Sequence, residues 1–187
     1  GKQLWQTKIT EYVLHQGFGS SPAIYQSLVI VSADNKGTGA IAGLNRTTGE
    51  IVWKKNFNKD FGGKLMSGWG FSESPLVDGD NVICTPGGPD AVMAALDRKT
   101  GDTVWVTKGM NDMTSYVPPI LANHNGRKIL LTETSKYLIC VDATTGQLLW
   151  NKEHLTQYNI HSVSPIYQDG LVFYVAGYKS GGGQLKL

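Results

Sequence analysis

Apolar residues in this chain come in short runs, each cut off by glycine or an Asp-Gly or Asn-Gly pair. Pro75-Leu76-Val77 breaks at Asp78-Gly79-Asp80 and resumes as Asn81-Val82-Ile83-Cys84-Thr85. Pro165-Ile166-Tyr167 breaks at Gln168-Asp169-Gly170 and resumes as Leu171-Val172-Phe173-Tyr174-Val175. Runs of this length between turn formers predict β-hairpins. No stretch carries helical periodicity, so the pattern predicts an all-β chain.

The runs are organised by a repeat. Leu96-Asp97-Arg98-Lys99-Thr100-Gly101-Asp102-Thr103-Val104-Trp105 matches Leu44-Asn45-Arg46-Thr47-Thr48-Gly49-Glu50-Ile51-Val52-Trp53 and Val141-Asp142-Ala143-Thr144-Thr145-Gly146-Gln147-Leu148-Leu149-Trp150. A short Asp or Asn side chain can accept from backbone N–H groups two and three residues on, and a Thr hydroxyl can join the same turn. The glycine can then take the positive φ of a bulged hairpin. The closing Trp offers a flat ring to pack between adjacent sheets, and Gly43, Ala95 and Cys140 leave a small position where a ring can lie. These residues are structural, and none is assigned a catalytic role.

Trp5, Trp53, Trp105 and Trp150 are spaced 48, 52 and 45 residues apart. That period suits a propeller blade of four antiparallel strands. Pro22, Pro75, Pro119 and Pro165 each precede a short apolar run, and proline, lacking a donor, suits a strand entry. The prolines therefore predict the entry to the innermost strand of each blade. This register predicts blades over residues 22–55, 75–107 and 119–152, and the first three strands of a blade over 165–187. Residues 1–8 read as the last strand of a preceding blade, because Gly1-Lys2-Gln3-Leu4-Trp5 matches the tail of the repeat. The two ends are complementary, about four blades' worth in all. They can join within one chain, join between two chains in a homodimeric ring, or belong to a longer propeller of seven or eight blades. The last reading needs the fewest assumptions.

The (Ala/Val)-x-Asp-x-x-Thr-Gly-x-x-x-Trp pattern resembles the tryptophan-docking repeat of the quinoprotein-like β-propellers. These include alcohol dehydrogenases that use pyrroloquinoline quinone (PQQ), and relatives with no demonstrated cofactor, among them a periplasmic scaffold of outer-membrane protein assembly. The resemblance implies an exported, bacterial, periplasmic protein. It also implies a ligand or partner site at the end of the channel ringed by the blade-to-blade connections, here residues 6–21, 54–74, 106–118 and 151–164. The stretches nearest the axis would be Phe18-Gly19-Ser20, residues 68–73, Thr114-Ser115-Tyr116 and Asn159-Ile160-His161-Ser162.

Trp69, Glu73, Tyr116 and His161 are accordingly the candidate channel-mouth residues. In the dehydrogenase reading, PQQ with calcium sits there, Trp69 stacks on its ring, and Glu73 or His161 contacts cofactor or substrate. In the packing reading, Trp69 and Phe71 plug the channel and Glu73 bonds a neighbouring blade's backbone. Against the dehydrogenase stand three absences from the sequence: an adjacent cysteine pair, a matching calcium-ligand set, and a CxxCH haem motif. The preferred expectation is a non-catalytic module that binds a protein partner or small ligand through its connections.

Bulk composition narrows this little further. The 187 residues carry a formal net charge of +2, which gives no electrostatic reason to expect nucleic acid, and no apolar run is long enough to span a bilayer. Cys84 and Cys140 fall at different places in neighbouring repeats and read as small buried hydrophobes, not a disulfide. His15, His124, His154 and His161 lack the spacing of a metal motif, so no metal ligand is assigned, and His124 reads as a hairpin-turn residue. Asp60, Asp78, Asp80 and Asp169 read as solvated turn residues. Lys54, Lys55, Lys59 and Lys64 make a mildly basic connection that reads as a solvated loop.

Overall fold

The computed structural model describes residues 1–11, 19–33, 39–65 and 68–187. The chain folds into consecutive antiparallel sheets, each made from one sequence repeat. The first contains β1 (Ala23–Tyr25), β2 (Leu28–Ala33), β3 (Ala40–Asn45) and β4 (Ile51–Asn56), in that order. The second contains β5 (Leu76–Asp78), β6 (Asn81–Cys84), β7 (Ala94–Asp97) and β8 (Thr103–Val106). The third contains β9 (Ile120–His124), β10 (Arg127–Glu133), β11 (Tyr137–Asp142) and β12 (Leu148–Glu153). The fourth has three strands, β13 (Ile166–Gln168), β14 (Leu171–Ala176) and β15 (Gly181–Lys186). Every strand pairs with its sequence neighbour, so each sheet is an up-and-down meander, the form of a propeller blade. Each of the four prolines sits immediately before a first strand.

The blades pack face to face, and this explains why their strands read as continuous apolar runs. Val82, Cys84 and Leu96 join Ile30, Ile41 and Phe57 of the first blade. The intervening residues Ile83 and Ala95 point the other way and join Leu130, Ile139 and Val141 of the third. Ile129, Leu131, Leu138 and Cys140 in turn meet Val172 and Leu185 of the fourth. Successive side chains of a strand alternate between faces, so a sheet covered on both sides is apolar at consecutive positions.

The repeat motif locks these layers together. Asn45 Oδ1 accepts from the backbone N–H of Thr47 and Thr48, Asp97 Oδ1 from Lys99 and Thr100, and Asp142 Oδ1 from Thr144 and Thr145. Those N–H groups hold the Asp97 carboxyl below its usual range. At Asp142, burial pushes upward, but the Arg127 guanidinium and the turn donors outweigh it and the net shift is downward. The tryptophans do not clasp their own blades. Trp5 Nε1 donates to Arg46 O (2.9 Å), Trp53 Nε1 to Arg98 O (2.6 Å) and Trp105 Nε1 to Ala143 O (3.2 Å), each on the turn of the next blade. The rings lie on Gly49, Gly101 and Gly146, whose φ values are +77°, +74° and +74°; a Cβ there would meet ring carbons at 2.5–2.8 Å. Gly43 faces its own blade's Trp53, across the strand pair and beside a register shift that recurs at Ala95 and Cys140.

Three expectations change. A helical turn, α1 (Phe57–Phe61), follows β4: Asn56 caps it through Lys59 N–H, Asp60 accepts from Asn56 N–H, and Gly62 ends it at φ +63°. Five residues are too short to show periodicity, and burial of Phe57 and Phe61 holds the turn. Residues 1–9 are not assigned to a strand, although Trp5 docks as its counterparts do. Asp78 and Asp80 are not merely solvated: Asp78 pairs with Lys128 of the third blade (2.7 Å) and Asp80 with the buried Arg98 (2.5 Å). Both cysteines are buried free thiols; burial pushes Cys84 up, and Cys140 up to about 12.

Candidate functional site at the connection end

The alternation of strands sorts the loops onto two ends. The tryptophan-docking turns and the first hairpin turns lie at one. The blade-to-blade connections and the loops between second and third strands lie at the other. The candidate residues all belong to the connection end.

Glu73 is the polar hinge between the second and third blades. It lies just before Pro75, and its carboxylate is buried. Oε1 accepts from the Thr114 hydroxyl and from Tyr116 N–H (2.7 Å), and Oε2 accepts from Ser72 N–H (3.0 Å). Tyr116 reaches it by adopting φ +62°, a left-handed conformation rare for a bulky residue. Burial raises the Glu73 pKa, opposed by the hydrogen bonds from Thr114 and the backbone. Asp112 repeats the device one loop on, accepting from the Thr134 and Ser135 hydroxyls (2.6 and 2.5 Å) and from Lys136 N–H (3.0 Å). Ser115 carries it to the next connection, donating to Asn159 O (3.0 Å) and accepting from His161 N–H (2.8 Å).

His161 leads to a cluster that sequence spacing concealed. Glu133 ends β10, His154 follows β12, and His161 lies in the connection to the fourth blade. His154 Nδ1 and His161 Nδ1 each lie 2.7 Å from Glu133 Oε2. The imidazole centroids are 4.9 Å apart, and Tyr174 of β14 packs edge-on against His154 at 4.7 Å. All three residues are buried, with Glu133 and His161 side chains at 0% exposure. Two of these histidines, dispersed in sequence, are therefore neighbours in space. Glu133 carried no motif at all; a carboxylate ending an apolar strand was the signal available.

The other candidates diverge. Trp69 is 60% exposed, whereas Phe71 is buried edge-on against Phe57 at 5.0 Å. Tyr116 is half-buried and touches Glu73 through its backbone. Three hydrogen bonds engage the Glu73 carboxylate, two at Oε1 and one at Oε2. His124 ends β9 beside the Asn125-Gly126 turn, and its Nδ1 lies 3.0 Å from the Tyr167 hydroxyl. His15, Phe18, Met66 and Ser67 lie outside the described residues. Four of the exposed apolar side chains lie at this same end, Trp69, Leu155, Tyr158 (54%) and Tyr178, the two tyrosines stacked edge-on at 5.0 Å. Among the described residues, no helix is long and apolar enough to cross a membrane.

Known structures share the fold. BamB from Moraxella catarrhalis superposes with a TM-score of 0.53 at 19% identity, over 86% of this chain and 43% of its own. A quinohemoprotein alcohol dehydrogenase from Comamonas testosteroni gives 0.63 at 14%, over 85% of this chain and 37% of its own. The quinohemoprotein alcohol dehydrogenase ADHIIG from Pseudomonas putida HK5 gives 0.55 at 16%, over 86% and 28%. The chain thus spans less than half the length of each of these structures. Curated protein sequences give no match. The profile of the family described as outer membrane protein assembly factor BamB matches residues 1–183. This chain therefore belongs to the BamB-like family of PQQ-type β-propellers.

Proposed function

We propose that this chain is a non-catalytic propeller module of an exported, periplasmic protein, and that its connection end binds a protein partner. The observation that carries this reading is the division of labour at that end. Buried polar groups are spent on holding the loops: Glu73 and Ser115 join one connection to the next, and Asp112 ties its connection to the loop between β10 and β11. The surface presents aromatic and apolar side chains instead, Trp69, Leu155, Tyr158 and Tyr178. Exposed aromatics of this kind supply contact area in protein interfaces, whereas a reaction site needs polar groups turned toward a cavity. The BamB likeness supports the same reading.

The runner-up is a quinone-dependent dehydrogenase, favoured by the exposed Trp69 ring as a stacking surface and by the fold shared with two quinohemoprotein alcohol dehydrogenases. The commitment of Glu73 to Thr114, Tyr116 and Ser72 weighs against it.

Photo-crosslinking separates the two. A photoreactive residue at Trp69 or Tyr158 in producing cells is expected to yield a discrete protein adduct, and one at Lys99 or Gln147, on the opposite turns, none. Absence of adducts at both aromatic positions would refute the binding surface. Stoichiometric PQQ binding with calcium, read by quinone absorbance and lost in Trp69→Ala, would transfer the assignment to the dehydrogenase.

A further inference from the structure

We propose that Glu133, His154 and His161 form a binding site for one divalent transition-metal ion of the zinc class, fastening the third blade to the connection that enters the fourth. Two imidazoles and one carboxylate are a donor set suited to such an ion, while calcium prefers six or more oxygens. Their ligand atoms lie within 4.8 Å of one another.

Hydrogen bonding among the three residues does not account for the cluster. His154 Nδ1 meets Glu133 Oε2 in hydrogen-bond geometry. His161 Nδ1 is equally close to that oxygen, at 2.7 Å, but lacks the alignment of a hydrogen bond and has no partner. Glu133 Oε1, His154 Nε2 and His161 Nε2 are also buried without a partner. Buried polar atoms are nearly always satisfied, so His161 Nδ1, unbonded beside a buried carboxylate, and Glu133 Oε1, unbonded on that same carboxylate, point to a species shared by the three side chains. A second ring nitrogen held at short distance from that oxygen but off the hydrogen-bond line suits a shared cation. In a tetrahedral zinc site, ligand atoms stand about 3.3 Å apart, so the 2.7 Å contacts need open by only roughly 0.6 Å.

The backbone around each ligand is independently anchored. His154 N–H donates to Lys136 O (2.8 Å), His161 N–H donates to Ser115 Oγ (2.8 Å), and Glu133 is the last residue of a paired strand. The Tyr174 ring holds the His154 imidazole from the fourth blade. Supports of this sort orient metal ligands. The burial of all three residues excludes substrate, so the ion's role is structural.

The test uses the intact, tag-free protein, stripped with a chelator and titrated with zinc chloride and cobalt chloride. Expected are one zinc ion per chain by elemental analysis, a raised melting temperature on adding zinc, and a cobalt absorption spectrum of tetrahedral type. Glu133→Gln and His161→Gln should each weaken zinc binding by more than about 100-fold, the upper end for changes outside the ligand shell. His124→Gln, remote from the cluster, should bind as the parent does. No zinc uptake by the folded parent at micromolar ion overturns the proposal, as does uptake that survives both cluster variants or is lost in His124→Gln. Should the cluster variants fail to fold, X-ray absorption of the zinc-loaded parent decides: two imidazole nitrogens in the first shell uphold the site, and any other count overturns it.

Discussion

Replacing Gly146 with alanine tests the docking of tryptophan on glycine as the main tie between blades. The backbone there has φ +74°, and an added Cβ would lie 2.5 Å from Cε3 of Trp105. Left-handed backbone alone costs a non-glycine residue about 1 kcal/mol. The backbone cannot retreat, because Gly146 N–H donates to Asp142 O (2.9 Å) and the turn is further held by Asp142 Oδ1. The ring must therefore move, lengthening its 3.2 Å hydrogen bond to Ala143 O and opening the packing of a side chain only 8% exposed. The lost hydrogen bond is worth about 1 kcal/mol, and partial loss of the ring's burial adds about 1–2 kcal/mol. The total comes to about 3–4 kcal/mol, with a melting temperature lowered by roughly 2–4 °C for each of those. Gly79→Ala is the control: its φ is +59°, but nothing lies within 4 Å of the added carbon. It should cost only the backbone term. Thermal and urea denaturation followed by circular dichroism measure both. Equal losses in the two variants would refute the docking argument.

Further outcomes follow from the buried and turn carboxylates. Asp142→Asn should cost less than Asp142→Ala, by about 1–2 kcal/mol in urea denaturation, because Asn45 makes the same turn bonds in the first blade. Since the folded pKa of Asp142 lies below its usual value of 3.8, its stabilisation is present above that pH and lost as the pH falls through the folded value. Glu73 behaves oppositely: its folded pKa is raised above 4.5, so the folded state holds its proton longer. Its contribution is full below 4.5 and lost as pH rises through the folded value, and Glu73→Gln should flatten that part of the stability–pH curve. A wild-type curve already flat above pH 4.5 would contradict the burial assigned to this carboxylate.

The architecture was legible in the chain because it rests on local chemistry repeated. An Asp or Asn three residues before a Thr, a glycine able to take positive φ, and a proline at a strand entry each act within a few residues of themselves. Their recurrence reported blades, hairpins and the end of the molecule that carries the connections. The helical turn after β4 escaped, since five residues held by two buried phenylalanines leave no period to read. The tryptophan's partner escaped as well. The sequence shows each Trp beside its own turn, whereas the ring reaches the turn of the following blade, more than thirty residues on.

The candidate site divides along the same line. That the connections carry the candidate side chains was implied by the family resemblance, and the register of the repeat placed Trp69, Glu73, Tyr116 and His161 at one end. Which of them turn outward did not follow. Glu73 and Phe71 face inward and Trp69 outward, within a few residues of one another, because neighbouring blades supply Thr114, Tyr116 and Phe57 as partners. Glu133, His154 and His161 come from a strand end, a strand exit and a connection, and no spacing rule links them. Only the course of the connection after β12, folded back over the end of β10, brings their nitrogens to one oxygen. Local turn chemistry therefore determined the fold from sequence alone, while the buried polar cluster depended on bringing together a strand end and a connection more than twenty residues apart, which only the tertiary structure decides.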